Sequence, residues 1–257
     1  MRVFDDADIE RFIEEGFLPL REAFPREIAD QARAILWDKI GLSPDDRSGW
    51  TQPVMWAADE TGEGPFRPAI DSPRLRAAYD ELAGPGRWLP RGSVGNFPIR
   101  FPGLPPADDT GWHVDSCVPR ADGSWGVALY PHTMLLLLLF SDVGPDDAPT
   151  RIRVGSHLDV PGVLEPYGAA GPDFAGLYPA LVDASAARPL ALVTGSAGDA
   201  FLCHPFLVHA AQAHLGTVPR FMSQGPLLLK EPLRLDRPDG AYSPLELAAR
   251  RGLRPAA

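Results

Sequence analysis

A mainly β fold with flanking α-helices, built on a double-stranded β-helix or jelly-roll core of the cupin type, is the fold class predicted by three features of this chain. Apolar residues recur at helical spacing only in the first third. From Trp88 onward, short apolar runs are broken by Gly, Pro and Asp, as in strands joined by turns. The longest apolar run, Met134 to Phe140, has seven residues, which suits a strand buried on both faces. Such a run is far shorter than the roughly 20 residues a membrane helix requires. The 257 residues are read as a single domain, with N-terminal helices at about 4–40 and the jelly-roll core at about 88–230.

Taken in order, Ile9, Phe12 and Ile13 predict a helix over 4–16, and Ile28, Ala32, Ile35 and Leu36 a second over 25–40. The stretch Gly41–Pro68 is polar and rich in Gly and Pro, with Trp50 and Trp56 as its expected anchors. A short helix over 73–83 should end at Gly84. Strands are expected near 92–101, 111–115, 126–140, 150–154, 190–194, 199–209 and 218–230, a set that suits a double-sheet jelly roll. Leu158–Pro189 is too long for a simple turn; it reads as a loop covering a site, or as a static surface excursion.

A formal charge of −10 and a pI near 5.0 disfavour nonspecific nucleic-acid binding, for which a basic surface supplies most of the affinity. The only lysines are Lys39 and Lys230. Two cysteines in a chain of this length do not make a disulfide scaffold, and Asp5, Asp6 and Asp8 interrupt any signal-like start. The expectation is a cytoplasmic protein without a membrane partner; its oligomeric state is open. Cys203 should pack as a small apolar residue, whereas Cys117, two residues from Asp115, is expected to be oxidation-sensitive.

The chemistry concentrates in His113-Val114-Asp115, in His209, and in Arg220 eleven residues further on. Residues two apart on a strand project to one side, so His113 and Asp115 can grip one ion while Val114 faces away. Two imidazoles and a carboxylate can hold iron(II) on one face and leave positions open. His204 competes with His209 for the third position, but Pro205 disturbs the backbone beside it, so His204 is expected to bond backbone while His209 serves as ligand. If Ala213–Thr217 makes a hairpin turn, His209 and Arg220 lie opposite each other, and Arg220 could clamp a dicarboxylate through two parallel hydrogen bonds.

These residues resemble the phytanoyl-CoA dioxygenase family of iron(II)- and 2-oxoglutarate-dependent oxygenases, and the resemblance runs through most of the chain. Phe4–Leu20 is similar to the family's first helix and strand, Gly111–Asp115 to its first two ligands, Leu139–Val143 and Thr150–His157 to its central strands with a Gly-Ser-His turn, and Gly198–His209 with Arg220 to its distal histidine and cosubstrate arginine. The resemblance implies His113, Asp115 and His209 as iron ligands and 2-oxoglutarate and O2 as cosubstrates. It further implies hydroxylation of a small organic metabolite with release of succinate and carbon dioxide. Thr133 and Thr150 are candidates to hydrogen-bond the cosubstrate alongside Arg220.

The chain departs from the family pattern at Val154, where proline is common, and at Ala211–His214, where an asparagine is common. Asp115 argues against the related halogenases, which leave that position vacant. The alternatives are a cupin-type metal enzyme that does not use 2-oxoglutarate and a noncatalytic metal-binding barrel. Arg100, Arg151, Arg153 and Trp112 lie near the expected mouth, with Trp112 expected to point away from the His113 side and the pair Arg151 and Arg153 to share one face.

Overall fold

The computed structural model describes residues 1–172 and 174–253. In chain order the elements are α1 (Asp6–Glu15), β1 (Phe17–Leu20), α2 (Arg26–Ile40), β2 (Val54–Asp59), α3 (Phe66–Ile70), α4 (Pro73–Ala83), β3 (Gly95–Arg100), β4 (Val118–Pro119), β5 (Trp125–Gly126), β6 (Thr133–Leu139), β7 (Arg151–Arg153), α5 (Val160–Leu164), α6 (Phe174–Ala184), β8 (Leu190–Leu192), β9 (Ala200–Cys203), β10 (His209–Ala210), β11 (Met222–Leu228) and α7 (Pro244–Gly252). They build a six-stranded antiparallel sheet in the order β1-β9-β6-β11-β3-β2, a three-stranded sheet β10-β7-β8, and the hairpin β4-β5. This is the predicted mainly β fold with flanking helices.

Helix boundaries follow local chemistry. Asp5 and Asp8 form a reciprocal cap at the start of α1, and Gly16 closes it with φ +87°, a conformation that costs glycine little. Ser72 caps α4 and Pro73 opens it, while Ser243 and Glu246 cap α7 reciprocally.

The six-stranded sheet separates two apolar layers by simple alternation. On β6, Met134, Leu136 and Leu138 join Phe12, Leu36, Phe97 and Phe101 in a core beneath the N-terminal helices. Leu135, Leu137 and Leu139 point the other way, into an interior shared with Ile152, Val193, Phe201, Leu207 and Met222. The expectation that this run is buried on both faces is therefore borne out, and the second layer is the inside of the jelly roll.

Several elements differ from the sequence reading. The 41–68 stretch contains strand β2, which pairs along its whole length with β3, and Trp56 on it is 58% exposed rather than an anchor. Trp50 does pack, stacked on Trp37 at 6.0 Å between ring centroids. The segments expected as single strands at 126–140 and 199–209 are each broken in two, the second because the His204 ring turns back to accept from the Phe206 amide and Pro205 removes a donor. Residues 158–189 hold α5 and α6 instead of an unstructured loop, and α7 was not foreseen. No helix among the described residues is long and apolar enough to cross a membrane.

Candidate metal centre

His113 and His209 are brought together by backbone pairing. The His113 amide donates to the His209 carbonyl at 3.0 Å and the His209 amide donates back to His113 at 2.9 Å, a reciprocal antiparallel pair that sets both side chains on one face. Their ring centroids are 4.5 Å apart. On its other edge His209 pairs with Ile152 of β7, so the two histidines extend the smaller sheet. The stretch around His113 forms this isolated bridge and no strand, hence strand alternation does not by itself align Asp115 with His113. Fully buried Val114 instead pins the intervening backbone in an apolar cluster with Cys117, Phe206 and Val208. Asp115 Oδ1 then lies 3.7 Å from His113 Nε2 and 3.8 Å from His209 Nε2.

The protonation pattern suits an ion. His113 Nδ1 is 2.9 Å from the Gly111 carbonyl oxygen, and His209 Nδ1 is 2.9 Å from that of Leu207. A carbonyl only accepts, so each Nδ1 carries its proton and each Nε2 turns a lone pair toward Asp115. Burial holds His209 below its ordinary pKa; Asp115 opposes that shift and His113 reinforces it, which favours the neutral, ligating form. The ligand atoms of His113, Asp115 and His209 all lie within 4.8 Å of one another. Tetrahedral or octahedral ligand sets around one ion have donor separations of this order.

His204 stays out of this cluster. It is fully buried, with Nε2 3.2 Å from the Leu245 carbonyl oxygen and Nδ1 accepting from Phe206, the backbone role expected for it.

Arg220 is not the hairpin partner of His209. Its partner is Arg100, through reciprocal bonds of 3.1 and 2.9 Å, because the chain after Ala210 crosses from the small sheet to the large one instead of doubling back. Arg220 is only 1% exposed, and it donates to the carbonyls of Ala148 at 2.6 Å and Pro98 at 3.0 Å, leaving Nε without a partner. Burial, with Arg100 adding repulsion, lowers its pKa to about 9.

Thr133 is buried on the rim of a cavity of about 230 Å³ that Asp115, Asn96 and Gln224 also border. Thr150 is buried as well, with its hydroxyl 3.9 Å from the Met222 sulfur. Trp112 is held between the guanidinium groups of Arg151 and Arg153, at 4.7 and 4.5 Å from its ring, and packs with Val114's cluster. Those two arginines thus share one face, as their spacing predicts.

Cys117 corrects an expectation: it is fully buried and its thiol is pushed up to about 12 by desolvation, which suppresses the reactive thiolate. Asn96 and Gln224 were not singled out, although Asn96, Pro98 and Arg100 alternate with Phe97, Ile99 and Phe101, a pattern that places them on the interior face. Asp109 and Tyr178 left no such signal. Asp109 accepts from Arg100, and Tyr178 packs with Leu177 and Leu181 in the cluster of Val114 and Cys117, which brings α6 beside the candidate centre; burial, followed by the charge of Asp115, raises the Tyr178 phenol.

Residues 102–222 match the phytanoyl-CoA dioxygenase (PhyH) family. Comparison with curated proteins gives no match. Among solved structures, the non-heme α-ketoglutarate-dependent carbocyclase SnoK from nogalamycin biosynthesis is similar at a TM-score of 0.61 and 17% identity, covering 88% of this chain and 84% of SnoK. HygX from Streptomyces hygroscopicus, solved with nickel and 2-oxoglutarate, is similar at a TM-score of 0.56 and 19% identity, covering 88% of each chain. At these identities the structures establish the fold. The match covers the segment that carries His113, Asp115, His209 and Arg220, and together with the shared fold it supports a PhyH-like, iron(II)- and 2-oxoglutarate-dependent oxygenase.

Proposed function

We propose that His113, Asp115 and His209 are the iron ligands of this oxygenase, that Arg220 holds the far carboxylate of 2-oxoglutarate, and that the molecule oxidised is a small organic metabolite. The observation that carries the ligand assignment is the convergence of both histidine Nε2 atoms on Asp115 Oδ1, with each Nδ1 committed to a backbone carbonyl. The donor set fits iron(II): mixed imidazole and carboxylate ligands on one side leave the opposite side free.

When bound there, iron would supply oxygen activation coupled to oxidative decarboxylation of 2-oxoglutarate. The chain's own residues bind, orient and exclude water. Asp115, 43% exposed at its side chain, lies on the open side, while His209 at 8% closes the inner one. Arg220 offers its unpaired Nε–H from a buried position, where a carboxylate gains more from pairing than it would in water. The position of Thr133 on the cavity rim with Asp115 supports a hydrogen bond from its hydroxyl to the cosubstrate's near end, and Thr150 is a second candidate. Leu135, Leu137 and Leu139 keep the interior dry.

A small-metabolite substrate is supported by the neighbours: HygX has been solved with hygromycin B, and SnoN, an epimerase, with nogalamycin RO. Helices α5 and α6 are our candidate lid, supported by the proximity of Tyr178 to Asp115. The single-domain reading and a cytoplasmic setting also belong to this proposal, the latter supported by two buried free thiols.

The test is anaerobic titration with iron(II) and then 2-oxoglutarate, following the weak visible charge-transfer band of the chelate. A band in the native protein that fades in Arg220→Ala is the expected result. Bound metal without a band would refute the assignment.

A further inference from the structure

Three buried polar atoms lack hydrogen-bond partners: Arg100 Nε, Arg220 Nε and Asp109 Oδ1. They belong to one cluster. Arg100 and Arg220 are direct cross-strand partners, so their side chains leave the sheet on the same face, and the neighbours Phe101 and Phe221 occupy the opposite, helix-covered face. Both arginines are buried, at 4% and 1% exposure. Asp109 pairs with Arg100 through one oxygen. Two guanidinium groups therefore share a single carboxylate, and an uncompensated positive charge remains inside the jelly roll. An interior charge of this kind is costly unless an anion joins it.

Asp109 is the more exposed member of the pair. Its side chain is 35% exposed, whereas that of Arg100 is 4% exposed. It lies on an irregular connection four residues before His113. The next two carbonyls on that connection are both engaged near the metal centre: Thr110 accepts from Arg151 at 2.9 Å, and Gly111 accepts from His113 Nδ1.

We propose that Arg100 is a second anchor for the far carboxylate of 2-oxoglutarate, and that Asp109 is an internal carboxylate that occupies Arg100 until the cosubstrate displaces it. The inference rests on the assignment of Arg220 as cosubstrate arginine and extends it. A carboxylate lying between the two arginines satisfies both orphaned Nε donors, which Asp109 leaves without partners, and takes over the charge that Asp109 supplied. Displaced Asp109 gains water for the oxygen that now has no partner. Because the connection runs directly into Thr110, Gly111 and His113, cosubstrate occupancy is transmitted to the side chain that holds the metal.

The test measures 2-oxoglutarate dissociation constants by calorimetry on anaerobic, iron(II)-loaded protein, with 2-oxobutyrate, which lacks the far carboxylate, as control probe. Asp109→Asn removes the competitor and should tighten 2-oxoglutarate about five- to tenfold while leaving 2-oxobutyrate unchanged. Arg100→Gln should weaken 2-oxoglutarate at least about tenfold, Arg100→Lys less, and in an Arg100→Gln background Asp109→Asn should have no effect. Unchanged or weaker binding in Asp109→Asn, or tightening that persists without Arg100, overturns the proposal even if Arg220→Ala abolishes binding as expected. Absence of 2-oxoglutarate binding in the native protein instead overturns the cosubstrate assignment on which the proposal rests.

Discussion

The fully buried His157 makes stability depend on pH in a way that can be worked out. Its Nε2 lies 3.0 Å from the Ile13 carbonyl oxygen and its Nδ1 has no partner, so a protonated ring would bury a charge with one donor unsatisfied. Burial above all, with Arg188 and Arg251 adding, lowers its pKa to about 3, against about 6.5 in an unfolded chain. The unfolded state therefore takes up the proton first. The stability associated with this group is complete above about pH 6.5 and is lost as pH falls below that value, with a slope approaching 1.36 kcal/mol per pH unit until about pH 3. Between about pH 7.5 and pH 5 the loss comes to about 2 kcal/mol. Urea denaturation across this range should show wild type losing about 2 kcal/mol more than His157→Asn, whatever their absolute difference at pH 7.5. Parallel stability curves for the two proteins would refute the reasoning. His204, whose ring is tilted 46° to that of His157 at 5.1 Å between centroids and which burial also holds well below its ordinary pKa, is present in both proteins.

Three further outcomes are expected. Alanine at His113, Asp115 or His209 should weaken iron(II) binding by at least about a hundredfold and abolish turnover with circular dichroism unchanged; retained turnover in any of them would refute the ligand assignment. Gly16→Ala combines φ +87° with a Cβ placed 2.3 Å from His157 Nδ1, so denaturation should show a loss of about 2–5 kcal/mol, and a loss below about 1 kcal/mol would contradict the close approach. Cys117 should resist iodoacetamide in the native protein and react after denaturation, because its buried thiol is held well above the usual range; rapid native labelling would show that the thiol is reachable.

How far the site could be read in advance depended on the reach of each signal. The triplet His113-Val114-Asp115 and the choice of His209 over His204 were legible, because Pro205 and the apolar run after it are local features. Their alignment was attributed to strand alternation, whereas the structure achieves it through a long-range bridge between His113 and His209 and the burial of Val114. Arg220 stands out by its spacing, but its partner is Arg100 and not His209, since a turn motif cannot reveal that the chain is changing sheets. The helices within 158–189 are masked in the sequence by prolines, of which Pro161 falls in the first turn of α5 and Pro179 inside α6.

What the sequence by itself determined is the class of architecture, the capped N-terminal helices, the doubly buried strand β6 and the candidate cluster of His113, Asp115 and His209. Each of these depends on periodicity or on contacts a few residues apart. What only the tertiary structure decided is which distant residues meet: the pairing of His113 with His209, of Arg100 with Arg220 and with Asp109, and the packing of Tyr178 in the cluster of Val114. Those meetings depend on strand register and on which sheet each strand joins, and these are settled by the packing of two apolar layers rather than by any local run of residues.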